Sequence, residues 1–118
     1  MKRILYVEDN EDTADAVKVI LQKNGFEVQV ESCGKDALNK AHERFDLILL
    51  DIMLPDMSGW DIFEKLVRKK IKTRYAFLSA IPVSNERLIE LKKAGIVDYI
   101  MKPFEKEGLI NRIKKIFE

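Results

Sequence analysis

Four apolar stretches of this chain end in residues that can do chemistry. Ile4-Leu5-Tyr6-Val7 ends in Glu8-Asp9, Leu47-Ile48-Leu49-Leu50 in Asp51, Tyr75-Ala76-Phe77-Leu78 in Ser79, and Tyr99-Ile100-Met101 in Lys102-Pro103. The ends supply three carboxylates, a hydroxyl and an ammonium, a set suited to a divalent cation and a phosphoryl group. Carboxylates gathered in one crevice repel one another unless a cation or a proton compensates them. Donors that are all oxygen select a hard ion, and Mg²⁺ fits a half-open site because it retains several waters. Singly, each residue has an ordinary reading. Asp51 can be a turn or capping Asp, Glu8-Asp9 a helix start, Ser79 a satisfied hydroxyl, and Lys102 a surface cation. Their joint placement at four strand ends is what points to a site.

These residues need strands to deliver them. Leu47 to Leu50 shows no alternation, which predicts a strand covered on both faces in a parallel sheet. Phe26, Val28 and Val30 alternate with Glu27, Gln29 and Glu31, the pattern of a sheet edge. Helical signals fill the intervals. Asn10 caps a helix with Val17, Ile20 and Leu21 on its apolar face, stopped near Asn24-Gly25. Gly34 to Arg44 reads as a second helix carrying Ala37, Leu38 and Ala41. A third starts near Gly59 with Ile62, Phe63, Leu66 and Val67. Pro82 is incompatible with a helix interior, so the fourth begins near Ser84, buries Leu88 and Leu91, and stops at Gly95. The fifth, after Pro103, has Leu109, Ile113 and Ile116 in one stripe, widened by Ile110 and Phe117. Right-handed crossovers then predict an α/β fold: a single doubly wound (βα)5 domain over residues 1–118, with helices on both faces of a five-stranded parallel sheet of order 2-1-3-4-5. Ligands of such sheets sit beyond the strands' carboxyl ends, and Glu8, Asp9 and Asp51 would flank the switch-point crevice.

At 118 residues the chain is long enough for one well-buried core and too short for two. Its net charge of +1 argues against a dedicated nucleic-acid binder. The halves differ: residues 1–59 hold 7 Lys/Arg against 12 Asp/Glu, and residues 60–118 hold 14 against 8. The acidity of the first half is read partly as a metal pocket, and the basic runs Arg68-Lys69-Lys70 and Lys114-Lys115 as solvated helix surface. Cys33 is the only cysteine, so no internal disulfide can form, and nothing in the sequence around it suggests a reactive thiol. His42 reads as a solvated residue, and Trp60, Phe63 and Phe77 as core or rim. Met1-Lys2-Arg3 precedes an apolar run far too short for a signal sequence or a membrane span, so a cytoplasmic location without membrane contact is expected.

The set of strand-end residues, their order and their spacing resemble the receiver domain of two-component response regulators, over essentially the whole chain. The resemblance implies a signalling module rather than an enzyme, one that at most catalyses its own phosphorylation and dephosphorylation. Asp51 would accept a phosphoryl group from a sensor-kinase phosphohistidine, a phosphotransfer protein or a small acyl phosphate. Mg²⁺, with Mn²⁺ as a substitute, would be bound by Asp9, Asp51 and the carbonyl of Met53, with Glu8 acting through water. Two Asp are usual at the first strand's end, and Glu8 is a departure with a longer arm. Lys102 and the backbone of Ala80 would meet the phosphoryl oxygens, and a small residue at Ala80 leaves access. Ser79 matches the switch hydroxyl and Tyr99 the aromatic partner that moves inward. The Lys102-Pro103 bond is expected to be cis. Met53 and Ile81 occupy the two positions that tune dephosphorylation, and their apolar side chains predict a long-lived phosphoryl group.

The resemblance also implies that phosphorylation alters the face built from the fourth helix, fifth strand and fifth helix. Glu86, Arg87, Glu90, Lys92, Lys93, Glu105 to Glu107 and Arg112 would there serve a downstream protein target or an active-state homodimer. A start at Met1 and an end just after the fifth helix fit a stand-alone regulator and equally the receiver of a longer one. Three other classes compete. A pseudo-receiver is an interaction domain that takes no phosphate, and such domains usually lose part of the acid and Lys set retained here. A Mg²⁺-dependent phosphatase of the haloacid-dehalogenase type places a second Asp where this chain has Met53. A flavodoxin-like cofactor binder needs Ser, Thr and Gly after the first strand, where this chain has Glu8-Asp9-Asn10.

Overall fold

The computed structural model describes residues 1–118, and strands alternate with helices along all of it. β1 (Lys2–Val7) leads to α1 (Glu11–Lys23), β2 (Phe26–Glu31) to α2 (Gly34–Lys40), and β3 (Leu47–Leu50) to α3 (Gly59–Arg68). β4 (Arg74–Ser79) leads to α4 (Asn85–Ala94), and β5 (Ile96–Met101) to α5 (Lys106–Ile116). Every pairing is parallel and the order is β2-β1-β3-β4-β5, the doubly wound arrangement expected from the sequence.

The period of two divides the strand residues between two cores. Leu5, Val7, Ile48 and Leu50 face Ala37 of α2, Ile62 and Leu66 of α3, and Leu91 of α4. Ile4, Tyr6, Leu47 and Leu49 face Val17 and Leu21 of α1 and Leu109 and Ile113 of α5. β3 lies between the two and is wholly buried, which is why its sequence shows no polar alternation. β2 is an edge strand, with Phe26 and Val28 buried and Glu27 and Gln29 exposed.

The helix starts follow local chemistry. Asn10 accepts the Thr13 amide at 2.9 Å, Ser58 that of Asp61 at 3.2 Å, and Ser84 that of Arg87 at 3.1 Å. Each satisfies an amide that has no partner within its helix. Gly95 ends α4 at φ 117°, a conformation that L side chains rarely adopt.

Three local expectations need correction. The helix expected over Gly34 to Arg44 ends at Lys40, tightens into a 3₁₀ turn over Ala41–Glu43, and leaves Arg44 at φ 60°. The Arg3 guanidinium donates to the carbonyls of Glu43 at 2.7 Å and Arg44 at 2.8 Å, taking up acceptors that a longer helix would have used. Val67 is 47% exposed, not core. Beyond it Lys70 turns the chain at φ 59°, and Ile71 packs against the core in its place. Leu88 is only half-buried, leaving Leu91 as the buried anchor of α4.

Candidate phosphoacceptor and cation site

Glu8, Asp51 and Lys102 each lie one residue past a strand, and their amides continue the parallel ladder. The Glu8 N–H donates to the Glu31 carbonyl at 3.0 Å, that of Asp51 to Val7 at 3.0 Å, and that of Lys102 to Ser79 at 2.9 Å. The sheet itself therefore fixes where these side chains begin. Gly59 supports the same spot from below. Its N–H donates to the Ile52 carbonyl at 2.8 Å, and a Cβ built on it would sit 2.2 Å from the Asp51 carbonyl oxygen. Any larger residue at the start of α3 must displace the Asp51 backbone.

The side chains converge on one ammonium. Lys102 Nζ donates to Asp51 Oδ2 at 2.9 Å and to Glu8 Oε1 in a shorter contact. Asp51 Oδ1 accepts from the Ile52 amide at 2.7 Å. Glu8 Oε1 also accepts from the Tyr6 hydroxyl at 2.8 Å, and Oε2 from the Asn10 amide at 3.3 Å. Glu8 is 1% exposed and Asp51 7%, whereas Asp9 stands at the exposed rim. Carboxylate oxygens from Glu8, Asp9 and Asp51 lie within 4.8 Å of one another.

Burial opposes charge at all of these groups, but the partners decide the outcome differently. Burial pushes Glu8 above its ordinary range and Asp51 adds repulsion, against hydrogen bonds from Lys102 and Tyr6. At Asp51 burial also raises the pKa, yet the Lys102 ammonium, a hydrogen bond with Glu8 and the Ser79 hydroxyl hold the carboxyl below its usual range. Burial lowers Lys102, and the two carboxylates more than reverse this, so it stays a cation. With all three carboxyls ionised, the single ammonium would leave an excess of two negative charges. That excess, on oxygen donors alone, fits a hard divalent cation.

The other residues singled out from sequence surround this centre. Ser79 is 1% exposed, and its Oγ accepts the Ile81 amide at 3.3 Å. Tyr99 is turned inward against Phe77, with ring centroids 5.9 Å apart, and donates its hydroxyl to the Ile81 carbonyl at 2.5 Å. The inward position that the resemblance associates with switching is thus the one this structure holds. The Lys102-Pro103 peptide bond is cis. Ala80 is exposed and, with Asp12, Thr13, Ala16, Lys102 and Phe104, lines a cavity of about 540 Å³. The Met53 side chain is 69% exposed and stands apart from the buried cluster, and Ile81 is half-buried.

Two contributors escaped the sequence reading. Tyr6 looks like a packing residue within an apolar run, and only its place two residues before Glu8, on the same strand face, signals the contact. Asp56 accepts the Gly34 amide at 2.8 Å and the Lys35 amide at 2.9 Å, tying the loop after Asp51 to the start of α2. These two N–H groups hold the Asp56 carboxyl below its usual range. No local pattern announces a cap supplied from 21 or 22 residues away.

A family model described as the response regulator receiver domain matches residues 4–114. Among curated proteins the chain is similar to the response regulator SaeR of Staphylococcus epidermidis, 31% identical over 98% of this chain and 50% of that protein. It therefore spans about half the length of these relatives. Among solved structures it is similar to the non-phosphorylated HemR receiver domain of Leptospira biflexa, with TM-score 0.90, 31% identity, and coverage of 100% of this chain and 95% of that one. It also matches a CheY-like receiver domain protein of Methanospirillum hungatei, with TM-score 0.87, 33% identity, and coverage of 98% and 93%. The response regulator TrrA of Thermotoga maritima, solved in complex with Mg²⁺ and beryllofluoride, gives TM-score 0.83, 30% identity, and coverage of 98% and 99%.

Proposed function

The chain belongs to the response regulator receiver domain family, and from that premise we propose that it is the phosphoacceptor module of a two-component system, with Asp51 as the residue that is phosphorylated. The observation that carries this reading is the Lys102 ammonium bridging Asp51 and Glu8 within a cluster that also holds Asp9.

An Asp51 carboxylate oxygen attacks phosphorus of a kinase or phosphotransfer phosphohistidine, forming the P–O bond as the P–N bond breaks and imidazole leaves. The product is an acyl phosphate, a mixed anhydride labile enough for the signal to reset. Lys102, already on Asp51 Oδ2, follows the incoming phosphoryl oxygens by giving up its contact with Glu8. Asp9 and Asp51, with the Met53 carbonyl and with Glu8 behind them, would hold Mg²⁺ or Mn²⁺. The ion would supply positive charge against the phosphoryl oxygens. Ala80 is exposed at the mouth, and its backbone is a second contact for the phosphoryl group.

The readout proceeds through Ser79. Its hydroxyl turns to the phosphoryl group and gives up the Ile81 amide, loosening the segment whose carbonyl Tyr99 holds. Arg112 links Tyr99 to the surface. Its guanidinium donates to Asp98 Oδ2 at 2.8 Å and Oδ1 at 2.5 Å, and to the Tyr99 carbonyl at 3.2 Å. A shift there reaches the exposed face of α4, β5 and α5, where Arg87, Glu90, Lys92 and Lys93 are placed for a protein target or a second copy. The differential contacts of the phosphoryl group with Ser79 and Lys102 move the population. No helix is long and apolar enough to cross a membrane, and a cytoplasmic receiver domain spanning residues 1–118 completes the reading.

Adding Mg²⁺ and beryllofluoride, a phosphoryl mimic, tests this proposal. Amide resonances of α4, β5 and α5 should move in the native protein and stay fixed in Asp51→Asn; movement in both would remove Asp51 from the mechanism. Met53→Asn combined with Ile81→Glu should shorten the phosphoryl lifetime several-fold, and an unchanged lifetime would remove the tuning role of these two positions.

A further inference from the structure

Tyr6 is 0% exposed and is the only residue of its fourteen-membered core cluster with a polar side-chain atom. Phenylalanine would fill the same space between α1 and α5 without burying a hydroxyl, which costs free energy unless it is hydrogen-bonded. The single partner of that hydroxyl is Glu8 Oε1, at 2.8 Å. The same oxygen accepts from Lys102, and the third donor, the Asn10 amide, is at 3.3 Å on the other oxygen. When Lys102 turns to a phosphoryl group, Glu8 keeps only Tyr6 and the long Asn10 contact. Without Tyr6, this side chain, 1% exposed, would be held in place by one long hydrogen bond alone.

We propose that Tyr6 is a positioning residue: its buried hydroxyl anchors the Glu8 carboxylate beside Asp9 and Asp51, where the cation would bind. This rests on the reading of Glu8, Asp9 and Asp51 as a Mg²⁺ site. It adds a residue from inside the core, acting through Glu8 rather than on the phosphoryl group. The longer arm of Glu8 gives the arrangement its reason, since it has further freedom to restrain.

The test is a Mg²⁺ titration of the full chain, followed at the amides of Asp9 and Ile52, for the native protein, Tyr6→Phe, Glu8→Gln and the double variant. Tyr6→Phe should weaken Mg²⁺ binding about 10-fold, the scale of lost outer contacts to metal ligands. In the Glu8→Gln background it should cause no further loss. Native affinity in Tyr6→Phe would overturn the proposal. So would an equal loss in the Glu8→Gln background, which would mean that the hydroxyl acts through packing. Absence of Mg²⁺ binding in the native protein would overturn the metal-site reading and the Tyr6 role with it. A second readout does not require the variant to fold. With tyrosine labelled at the ring carbon bearing oxygen, the native Tyr6 signal should shift with Mg²⁺ at the same half-saturation as the Asp9 amide, while Tyr75 on the opposite core stays fixed. A Tyr6 signal indifferent to Mg²⁺ would overturn the proposal.

Discussion

At the amino end of the sheet, Arg3 meets a matched set of partners. Its guanidinium pairs with Glu27 at 2.6 Å and donates to the Glu43 and Arg44 carbonyls, and its amide donates to Asp46 at 2.7 Å. At the carboxyl end, Glu8 and Asp51 share one ammonium out of water, with Asp9 beside them at the exposed rim. The first arrangement cancels its charges at a wet rim and locks β1 to the turn before β3. The second leaves charge uncancelled where solvent cannot screen it. Such a site costs stability in the resting molecule and gains it when a cation or a phosphoryl group rearranges the charges. Stability and function thus sit at opposite ends of the same strands.

The sharpest way to break this contrast is to remove the shared ammonium. Lys102→Met leaves Glu8 and Asp51 buried against each other. Urea denaturation at neutral pH should show a loss of about 3–5 kcal/mol, the scale for stripping one partner from a buried charge pair. Phosphorylation should slow by about 100-fold or more. A loss under about 1 kcal/mol, typical of an exposed pair, would show that the carboxyl end is as well screened as the amino end.

The cation supplies the next largest effect. Mg²⁺ at about 100 times its dissociation constant should raise the unfolding free energy by about 2.7 kcal/mol, a gain reversed by EDTA and largely lost in Asp9→Asn. An equal gain in Asp9→Asn would place the stabilising ion elsewhere. At the other end, Asp46→Ala should cost about 1 kcal/mol through the lost Arg3 hydrogen bond, with Mg²⁺ affinity unchanged. A change in Mg²⁺ affinity there would mean that the two ends are coupled.

Much of this was legible in the sequence because Glu8, Asp51, Ser79 and Lys102 each close an apolar run. β3 announces itself by its unbroken aliphatics, and Asp51 by ending them. The edge position of β2 shows in its alternation. What stayed hidden depends on contacts distant in sequence. The bridge from Lys102 to Glu8 joins residues 94 apart, and the hydroxyl of Tyr6 is silent within an apolar pattern. The early end of α2 reflects Arg3, 40 and 41 residues away, and the start of the same helix is completed by Asp56.

Asp56 gives the smallest expected effect, and a graded one. Its carboxyl is held below the ordinary range in the folded state, so its contribution is complete above the unfolded value near pH ~4 and fades as pH falls through the lower folded value. Asp56→Asn should therefore flatten the stability profile only on the acid side of about pH 4. A difference that grew as the pH fell below about 4 would contradict the assigned sign.

Intact mass after incubation with Mg²⁺ and acetyl phosphate tests the central claim most directly. The native protein should gain about 80 Da, and the gain should be absent in Asp51→Asn and in the presence of EDTA. A gain that persists in Asp51→Asn would contradict the claim. So would no gain from acetyl phosphate or a phosphohistidine donor in a protein that binds Mg²⁺.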